Sequence, residues 1–128
     1  MRAVLDTSVL IADDLSMLDG ELAISVASLG ELHFGVLATT DGAVRAHRLR
    51  RLVDLRRRFD ALPIDDKVAA SYGELAAAAA AAAAGRQPRS RAMDLLIAAT
   101  AHAHSARLYT RNASDLAGLG HLVDIVPV

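Results

Sequence analysis

Short runs of apolar residues alternate along this chain with longer stretches of helical periodicity, and this alternation restricts the folds open to it. Strands are predicted at about 2–5, 22–26, 61–64, 107–110 and 122–126. Helices are predicted at about 8–14, 28–39, 43–59, 66–84, 92–105 and 113–118. Parallel strands need a crossover of a dozen or more residues between them, usually a helix. The pattern therefore predicts an α/β protein with a mainly parallel central sheet of about five strands.

Length and composition narrow the class of protein further. With 128 residues, the chain is expected to form one domain over residues 1–128. The absence of cysteine excludes disulfides and thiolate nucleophiles. Asp6 interrupts the N-terminal apolar run before a signal sequence can develop, and no apolar stretch approaches the roughly 20 residues of a membrane span. A cytoplasmic location without membrane association is the expectation.

Four separated acidic residues stand where a metal ligand would be placed in such a sheet. Asp6 directly follows the first predicted strand, and Asp115 follows the strand at 107–110 through a short loop. Glu31 and Asp94 are predicted in the first turns of their helices. The carboxyl ends of parallel strands share one sheet edge with the helix starts that follow them, which places Glu31 there. Asp94 follows a loop between two helices, so its convergence with the others is an added assumption. Oxygen-only ligands select Mg²⁺ or Mn²⁺. The pattern favours a metal-dependent enzyme acting on phosphate esters.

Each acid also has a purely structural interpretation. Ser28 to Glu31 fits a capping box, Asp94 in a first helical turn suits the helix dipole, and Asp6 or Asp115 can cap a helix. Taken together, the four acids favour the site, since mutually repelling carboxylates have no structural need to converge.

A resemblance to a known family rests on four stretches of the sequence. Asp6-Thr7-Ser8 after a strand, the helix start from Ser28 to Leu32, the stretch from Asp94 to Ala101, and Thr110-Arg111-Asn112-Ala113-Ser114-Asp115-Leu116 are similar to the signature of PIN-domain ribonucleases. The match covers nearly the whole chain. The short length most resembles the VapC toxins of bacterial toxin–antitoxin pairs.

The resemblance implies a three-layer α/β/α fold and a function. It implies metal-dependent endonucleolytic cleavage of RNA, with Mg²⁺, or Mn²⁺ as the alternative, held by Asp6 and Asp94, and by Glu31 and Asp115 directly or through water. A homodimer and a small cognate VapB-type antitoxin that silences the enzyme are the implied partners. Hydrogen-bonding side chains that support the carboxylates are expected at Thr7, Ser8 and Asn112.

Arginine supplies nearly all the positive charge of the chain. The arginines that flank two of the proposed ligands are candidate RNA phosphate contacts: Arg86, Arg89, Arg91 and Arg111. The predicted helix at 43–59 carries further arginines opposite an apolar stripe that includes Leu49 and Val53. Solvent exposure is the favoured interpretation for the outer face of that helix: Arg50, Arg51, Arg57 and Arg58.

Three other functions remain open at the level of sequence. One is a PIN nuclease of RNA processing that is not a toxin, and another is a catalytically poor module that binds RNA or protein. The third is a receiver-like domain that takes phosphate on an aspartate, suggested by Asp13-Asp14. The last is disfavoured because Asp13-Asp14 lie well beyond the first strand and Lys67, the only lysine, is near a helix start.

Overall fold

The computed structural model describes residues 1–12, 15–88 and 90–128, in which strands and helices alternate as predicted. The strands are β1 (Arg2–Leu5), β2 (Glu21–Ser25), β3 (Ala61–Leu62), β4 (Arg107–Thr110) and β5 (Ile125–Pro127). The helices are α1 (Thr7–Leu10), α2 (Val26–Ala38), α3 (Gly42–Arg58), α4 (Asp66–Ala83) and α5 (Ala92–Ala103), with a 3₁₀ turn at Ala113–Leu116. Arg89 and the pair Asp13-Asp14, which includes the end of the helix predicted at 8–14, lie outside the described residues.

The described strands form one sheet in the order β3-β2-β1-β4-β5, and each of the pairings is parallel. The predicted α/β class and mainly parallel sheet of about five strands are therefore confirmed. β1 lies at the centre, where Val4 is paired with Ala23 on one side and with Leu108 on the other. This arrangement brings the ends of β1, β2 and β4 to one edge of the sheet.

Both faces of the sheet are covered, which makes three layers. Because side chains alternate along a strand, Val4 and Leu108 enter one apolar cluster with α4 and α5, including Leu75 and Ile97. The opposite face of the same strands, including Leu5, packs against α1 and α3 in a second cluster. The buried members of this cluster are Ala3, Leu5, Val9, Leu10, Leu15, Ile24, Leu55 and Tyr109. The α/β/α layering is confirmed.

The helix starts follow local capping chemistry. Asp65 accepts a hydrogen bond from the Val68 backbone N–H (3.0 Å), so the alanine-rich α4 begins where the acidic pair was predicted to start it. The C-cap of α4 is Ala84 in the left-handed region (φ 51°), and Gly85 (φ 86°) follows. No helix within the described ranges has the length and apolar character needed to cross a membrane.

The start of α2 differs from the prediction. Ser25 is the N-cap and its hydroxyl accepts from the Ala27 backbone N–H (3.1 Å), so α2 begins at Val26. The predicted capping box from Ser28 to Glu31 is therefore wrong, because Ser28 is already fully buried inside the helix. Glu31 lies in the second turn of α2 instead of the first.

The apolar stripe predicted on α3 is only partly correct. Leu52 and Leu55 are buried, whereas Leu49 and Val53 are 49% and 42% exposed. Arg51, expected on the solvated face, turns toward α1 and donates hydrogen bonds to the Leu10 and Ala12 carbonyl oxygens. The inward face of α3 is thus displaced from the predicted one, because the α2–α3 hairpin packs at an angle that hydrophobic periodicity alone does not fix.

Candidate functional site

Asp6 lies between β1 and α1, at the centre of the sheet edge. Its backbone N–H donates to the Tyr109 carbonyl oxygen (2.9 Å) and continues the pairing with β4. Asp6 as a whole residue is 7% exposed, and its Oδ2 accepts hydrogen bonds from the hydroxyls of Ser8 and Thr110, each at 2.8 Å. The carboxylate is therefore held in one orientation by neutral donors from two segments of the chain.

Glu31 reaches the same edge from α2. The Thr7 hydroxyl donates to Glu31 Oε1 (2.6 Å) and also lies 3.0 Å from the Ser28 hydroxyl. Because a threonine hydroxyl carries a single proton, Ser28 is the donor in the second contact when Thr7 donates to Glu31. Thr7, the residue that immediately follows Asp6 in sequence, thus fixes the position of Glu31.

Asp94 is the third residue of α5, in the first turn as predicted. Its Oδ2 accepts from the Arg91 backbone N–H at 3.3 Å. Burial raises the pKa of Asp94 above its ordinary value, and the negative charges of Asp6 and Asp115 raise that pKa further, against the lowering effects of the Arg91 backbone hydrogen bond and guanidinium. Asp94 is therefore close enough to both Asp6 and Asp115 for their charges to act on it.

Asp115 lies in the 3₁₀ turn after β4 and is half-buried. Its backbone N–H donates to the Asn112 carbonyl oxygen (3.0 Å), and its own carbonyl oxygen accepts from the Ser90 hydroxyl. The Ser90 contact ties the 3₁₀ turn to the segment that leads into α5, which carries Asp94.

The supporting side chains predicted from sequence take different positions. Thr7 and Ser8 each donate to a candidate carboxylate. Asn112 contributes its backbone N–H, which donates to Thr110 Oγ1 (3.0 Å), and its side chain does not cap the 3₁₀ turn. Thr110 was not predicted to support a carboxylate. Its position at the end of the strand next to β1 could have indicated that its hydroxyl would reach Asp6. Fully buried, it links Asp6 to Asn112.

The arginines proposed as phosphate contacts lie around the acids. Arg86, Arg91 and Arg111 are exposed, while Arg89 lies outside the described residues. Arg86 Nε donates to the Ala83 carbonyl oxygen (3.1 Å), and the Arg111 backbone N–H donates to the Ser8 hydroxyl (3.0 Å). No ion pair within the described ranges includes Asp6, Glu31, Asp94 or Asp115, and the effect of the Arg91 guanidinium on Asp94 is smaller than that of burial.

The chemistry of this donor set fits a hard divalent cation. The donors are carboxylate oxygens, which are the ligands that Mg²⁺ and Mn²⁺ prefer. A bound cation would also offset the negative charges of Asp6 and Asp115 that act on Asp94. Among the described side chains, no three His, Cys, Asp or Glu residues are arranged closely enough to form a complete ligand set. The protein thus supplies oriented carboxylates, but these described carboxylates do not already lie as close to one another as ligands of one bound metal ion would.

Comparisons with known proteins identify the family of this chain. The PIN domain family matches residues 3–117. Ribonuclease VapC8 of Mycobacterium tuberculosis is 38% identical over 102 residues, covering 77% of this chain and 88% of the relative. Ribonuclease VapC5 of the same organism is 36% identical over 122 residues, covering 91% of this chain and 86% of the relative.

A solved structure extends the likeness to three dimensions. The crystal structure of VapBC-5 from Mycobacterium tuberculosis, a member of the VapBC family of toxin-antitoxin systems, matches with a TM-score of 0.81 at 34% identity. The match covers 99% of this chain and 97% of that one. With the family match over residues 3–117 and relatives above 30% identity, the chain belongs to the PIN-domain family, among the VapC ribonucleases.

Proposed function

We propose that this protein is a divalent-metal-dependent endoribonuclease and the toxin of a VapBC-type toxin–antitoxin pair. The observation that carries the proposal is that Asp6 and Asp115 lie close enough to the half-buried Asp94 for burial and their negative charges together to raise its pKa, while no ion pair of the described residues includes these acids. The relatives named ribonuclease VapC support the reaction class.

In this proposal Asp6 and Asp94 hold the cation, Mg²⁺ or Mn²⁺, and Glu31 and Asp115 act directly or through water. When bound, the cation lowers the pKa of a water molecule and offsets negative charge on the phosphoryl oxygens. Ser8 and Thr110 fix the orientation of the Asp6 carboxylate, and Thr7 does the same for Glu31. Carboxylates that are oriented beforehand need little rearrangement on binding substrate.

The proposed reaction is hydrolysis of an RNA phosphodiester inside the strand. A water oxygen attacks phosphorus and the bond from phosphorus to the 3′ oxygen breaks, which leaves a 5′-phosphate and a 3′-hydroxyl. The exposed Arg86, Arg91 and Arg111 are proposed to bind phosphates on either side of the cut. Their role is to offset the repulsion between the acids and the RNA backbone.

An antitoxin partner is proposed because an apolar surface adjoins the acids. A cavity of about 460 Å³ is lined by Thr7 and Glu31 together with Ile11 and Phe34, and the last two are 68% and 72% exposed. Exposed apolar side chains of this kind are typical of protein interfaces. An antitoxin segment in this cavity would place an arginine within reach of Glu31, where guanidinium–carboxylate pairing competes with the metal. A homodimer is part of the same proposal.

The decisive experiment is cleavage of total cellular RNA by the purified protein in Mg²⁺, Mn²⁺ or EDTA, with the new ends sequenced. Wild type is expected to give discrete cuts with 5′-phosphates in either metal and none in EDTA. Asp6→Asn and Asp94→Asn are expected to lose at least about 100-fold in rate, because each removes a ligand charge. Asp66→Asn, an exposed acid in the first turn of α4, is the matched control and is expected to cut like wild type.

The alternatives predict other outcomes. Absence of cutting, with RNA or protein binding unchanged by EDTA and by both site variants, would assign the protein to the binding modules. Cutting without any growth defect on expression, and without a small protein that binds the cavity at Phe34, would instead indicate a nuclease of RNA processing.

A further inference from the structure

A second cavity, of about 330 Å³, opens beside Asp115. It lies between the last turns of α4, the segment that follows α4, and the 3₁₀ turn. Its lining residues are Ala79, Ala82, Ala83, Arg86, Gln87, Pro88, Ser90, Asp115 and Ala117. Asp115, one of the four candidate ligands, is therefore also part of the lining of this cavity, and its carbonyl oxygen accepts from Ser90 in the segment that leads to Asp94.

One wall of the cavity is apolar and made of methyl groups. The wall comes from the alanine run of α4, whose small side chains leave room that larger residues would fill. The backbone after the 3₁₀ turn approaches this wall closely, since a Cβ placed on Gly118 would lie 2.7 Å from Ala82 Cβ. The width of the cavity is therefore set by the small side chains on α4.

The opposite rim is polar and presents hydrogen-bonding groups. The exposed Gln87 side chain carries both a donor and an acceptor on one amide. Arg86 Nε is occupied by the Ala83 carbonyl oxygen, which orients the guanidinium at the cavity mouth. The Ser90 hydroxyl donates to the Asp115 carbonyl oxygen and so holds the rim against the 3₁₀ turn.

This combination fits a nucleobase of a bound RNA strand. The volume is at the small end of the range for ligand sites, which suits one nucleoside better than an extended segment. A base is flat and apolar on its face and carries donors and acceptors on its edge, which matches a methyl wall opposite an amide. The cavity lining contains no aromatic residue, so recognition here depends on shape and on the edge of the base instead of stacking.

We propose that this cavity, which we call the alanine pocket, holds the RNA base next to the cleaved phosphate and that Gln87 recognises its edge. The proposal rests on the proposed nuclease function and adds a determinant of sequence preference to it. Because Asp115 joins the pocket to the acids, a base held here places its own phosphate beside them. Arg86 at the pocket mouth binds the phosphate on the far side of that nucleotide.

The test compares cleavage of an RNA library of randomised sequence by wild type and three variants, with base frequencies counted at each position around the cut. Gln87→Ala removes the amide from an exposed residue and is expected to reduce the base preference at one position adjoining the cut by about fivefold. Ala82→Leu fills the pocket and is expected to lower cleavage at the preferred sites most. Ala80→Leu, on an exposed alanine of α4 outside the lining, is the control and is expected to keep the wild-type pattern.

The outcomes separate this proposal from the nuclease assignment. If wild type makes no metal-dependent ends, the nuclease assignment fails and the pocket proposal fails with it. If wild type cuts but Gln87→Ala leaves every base frequency unchanged, the pocket proposal alone is overturned. It is also overturned if Gln87→Ala and Ala82→Leu weaken only a complex with an antitoxin protein while the base frequencies stay constant.

Discussion

At the scale of single residues, the site depends on hydroxyl groups that hold carboxylates in place. Asp6 receives hydrogen bonds from Ser8 and Thr110, and Glu31 receives one from Thr7. These donors are neutral, so they orient the acids without cancelling their charge. The site is thereby left able to attract a cation while its carboxylates stay ordered.

Thr110→Val tests this support with a change of nearly equal volume. The variant removes a donor to Asp6 Oδ2 and leaves the Asn112 backbone N–H without its acceptor. We expect an unfolding free energy lower by about 1–2 kcal/mol in urea titration and a cleavage rate lower by about 10- to 100-fold.

The matched control for this change is Thr100→Val. Thr100 is also fully buried, but its hydroxyl donates within α5 to the Leu96 carbonyl oxygen and contacts Ser25. It should lose comparable stability and keep the cleavage rate per folded molecule. Equal losses of rate in the two variants would show that Thr110 acts only through stability.

The raised pKa of Asp94 has a consequence for stability against pH. Because the folded pKa lies above the unfolded value, the ionised carboxylate costs stability at neutral pH, and this cost disappears as pH falls through the folded pKa. Asp94→Asn keeps an oxygen that can accept from Arg91 and removes the charge. In EDTA we expect the variant to melt at higher temperature than wild type near pH 7 and the two curves to converge at acidic pH.

The same melting temperatures are then measured with Mg²⁺ in place of EDTA. A cation that binds the folded acids should raise the melting temperature of wild type more than that of Asp94→Asn, since ligand binding to the folded state stabilises it. Parallel pH profiles for the two proteins would contradict the raised pKa of Asp94.

At the scale of elements, α3 is attached to the site by one arginine. Arg51, whose side chain is 20% exposed, donates to the Leu10 and Ala12 carbonyl oxygens and lies near Asp54. These carbonyls belong to the C-terminal end of the short α1, where unpaired acceptors need donors. Arg51 therefore fixes the helix that carries Thr7 and Ser8, although hydrophobic periodicity predicted that the Arg51 side chain would be exposed to solvent.

Arg51→Met should therefore destabilise the protein by about 1–2 kcal/mol, because it keeps much of the apolar stem and removes the donors to α1. Arg50→Met is the control, as Arg50 is exposed and is expected to change the unfolding free energy by less than about 0.5 kcal/mol. Urea unfolding of both variants provides the comparison. A similar loss at the two positions would indicate that the helix propensity or net charge of α3 is responsible.

At the scale of the whole molecule, one close approach joins α4 to the chain after the 3₁₀ turn. Gly118 has φ 91° and faces Ala82, and the neighbouring Leu116 and Leu119 are buried in the same core as α4. A side chain at residue 118 would be both strained and too close to the helix. This contact sets the position of the 3₁₀ turn, and with it Asp115, relative to α4.

Gly118→Ala is expected to lower the unfolding free energy by about 2 kcal/mol or more, from backbone strain and overpacking combined. Gly120→Ala is the control, because a Cβ there meets no atom within 4 Å. Ala82→Gly in the Gly118→Ala background should recover part of the loss, since it removes the opposing methyl but leaves the backbone strain. Strict additivity of the two changes in a double-mutant cycle would contradict the contact.

Local sequence patterns were enough to predict the strands, the helices and the class of the fold. Apolar runs and helical periodicity report local burial, so the five strands and the acid at the end of β1 followed from a single chain. The edge on which Asp6 and Asp115 lie was also predictable, because right-handed crossovers between parallel strands leave few topologies.

The hydrogen bonds that support the site depend on contacts between segments far apart in sequence. Thr110 is 104 residues from Asp6 in sequence, and its hydroxyl reaches that carboxylate only because β4 is paired with β1. The inward turn of Arg51, the place of Glu31 in the second turn of α2, and the pocket beside Asp115 depend in the same way on packing between distant segments. Local patterns carry no information about which distant atoms meet, because that is set by strand register and by the angles at which helices pack.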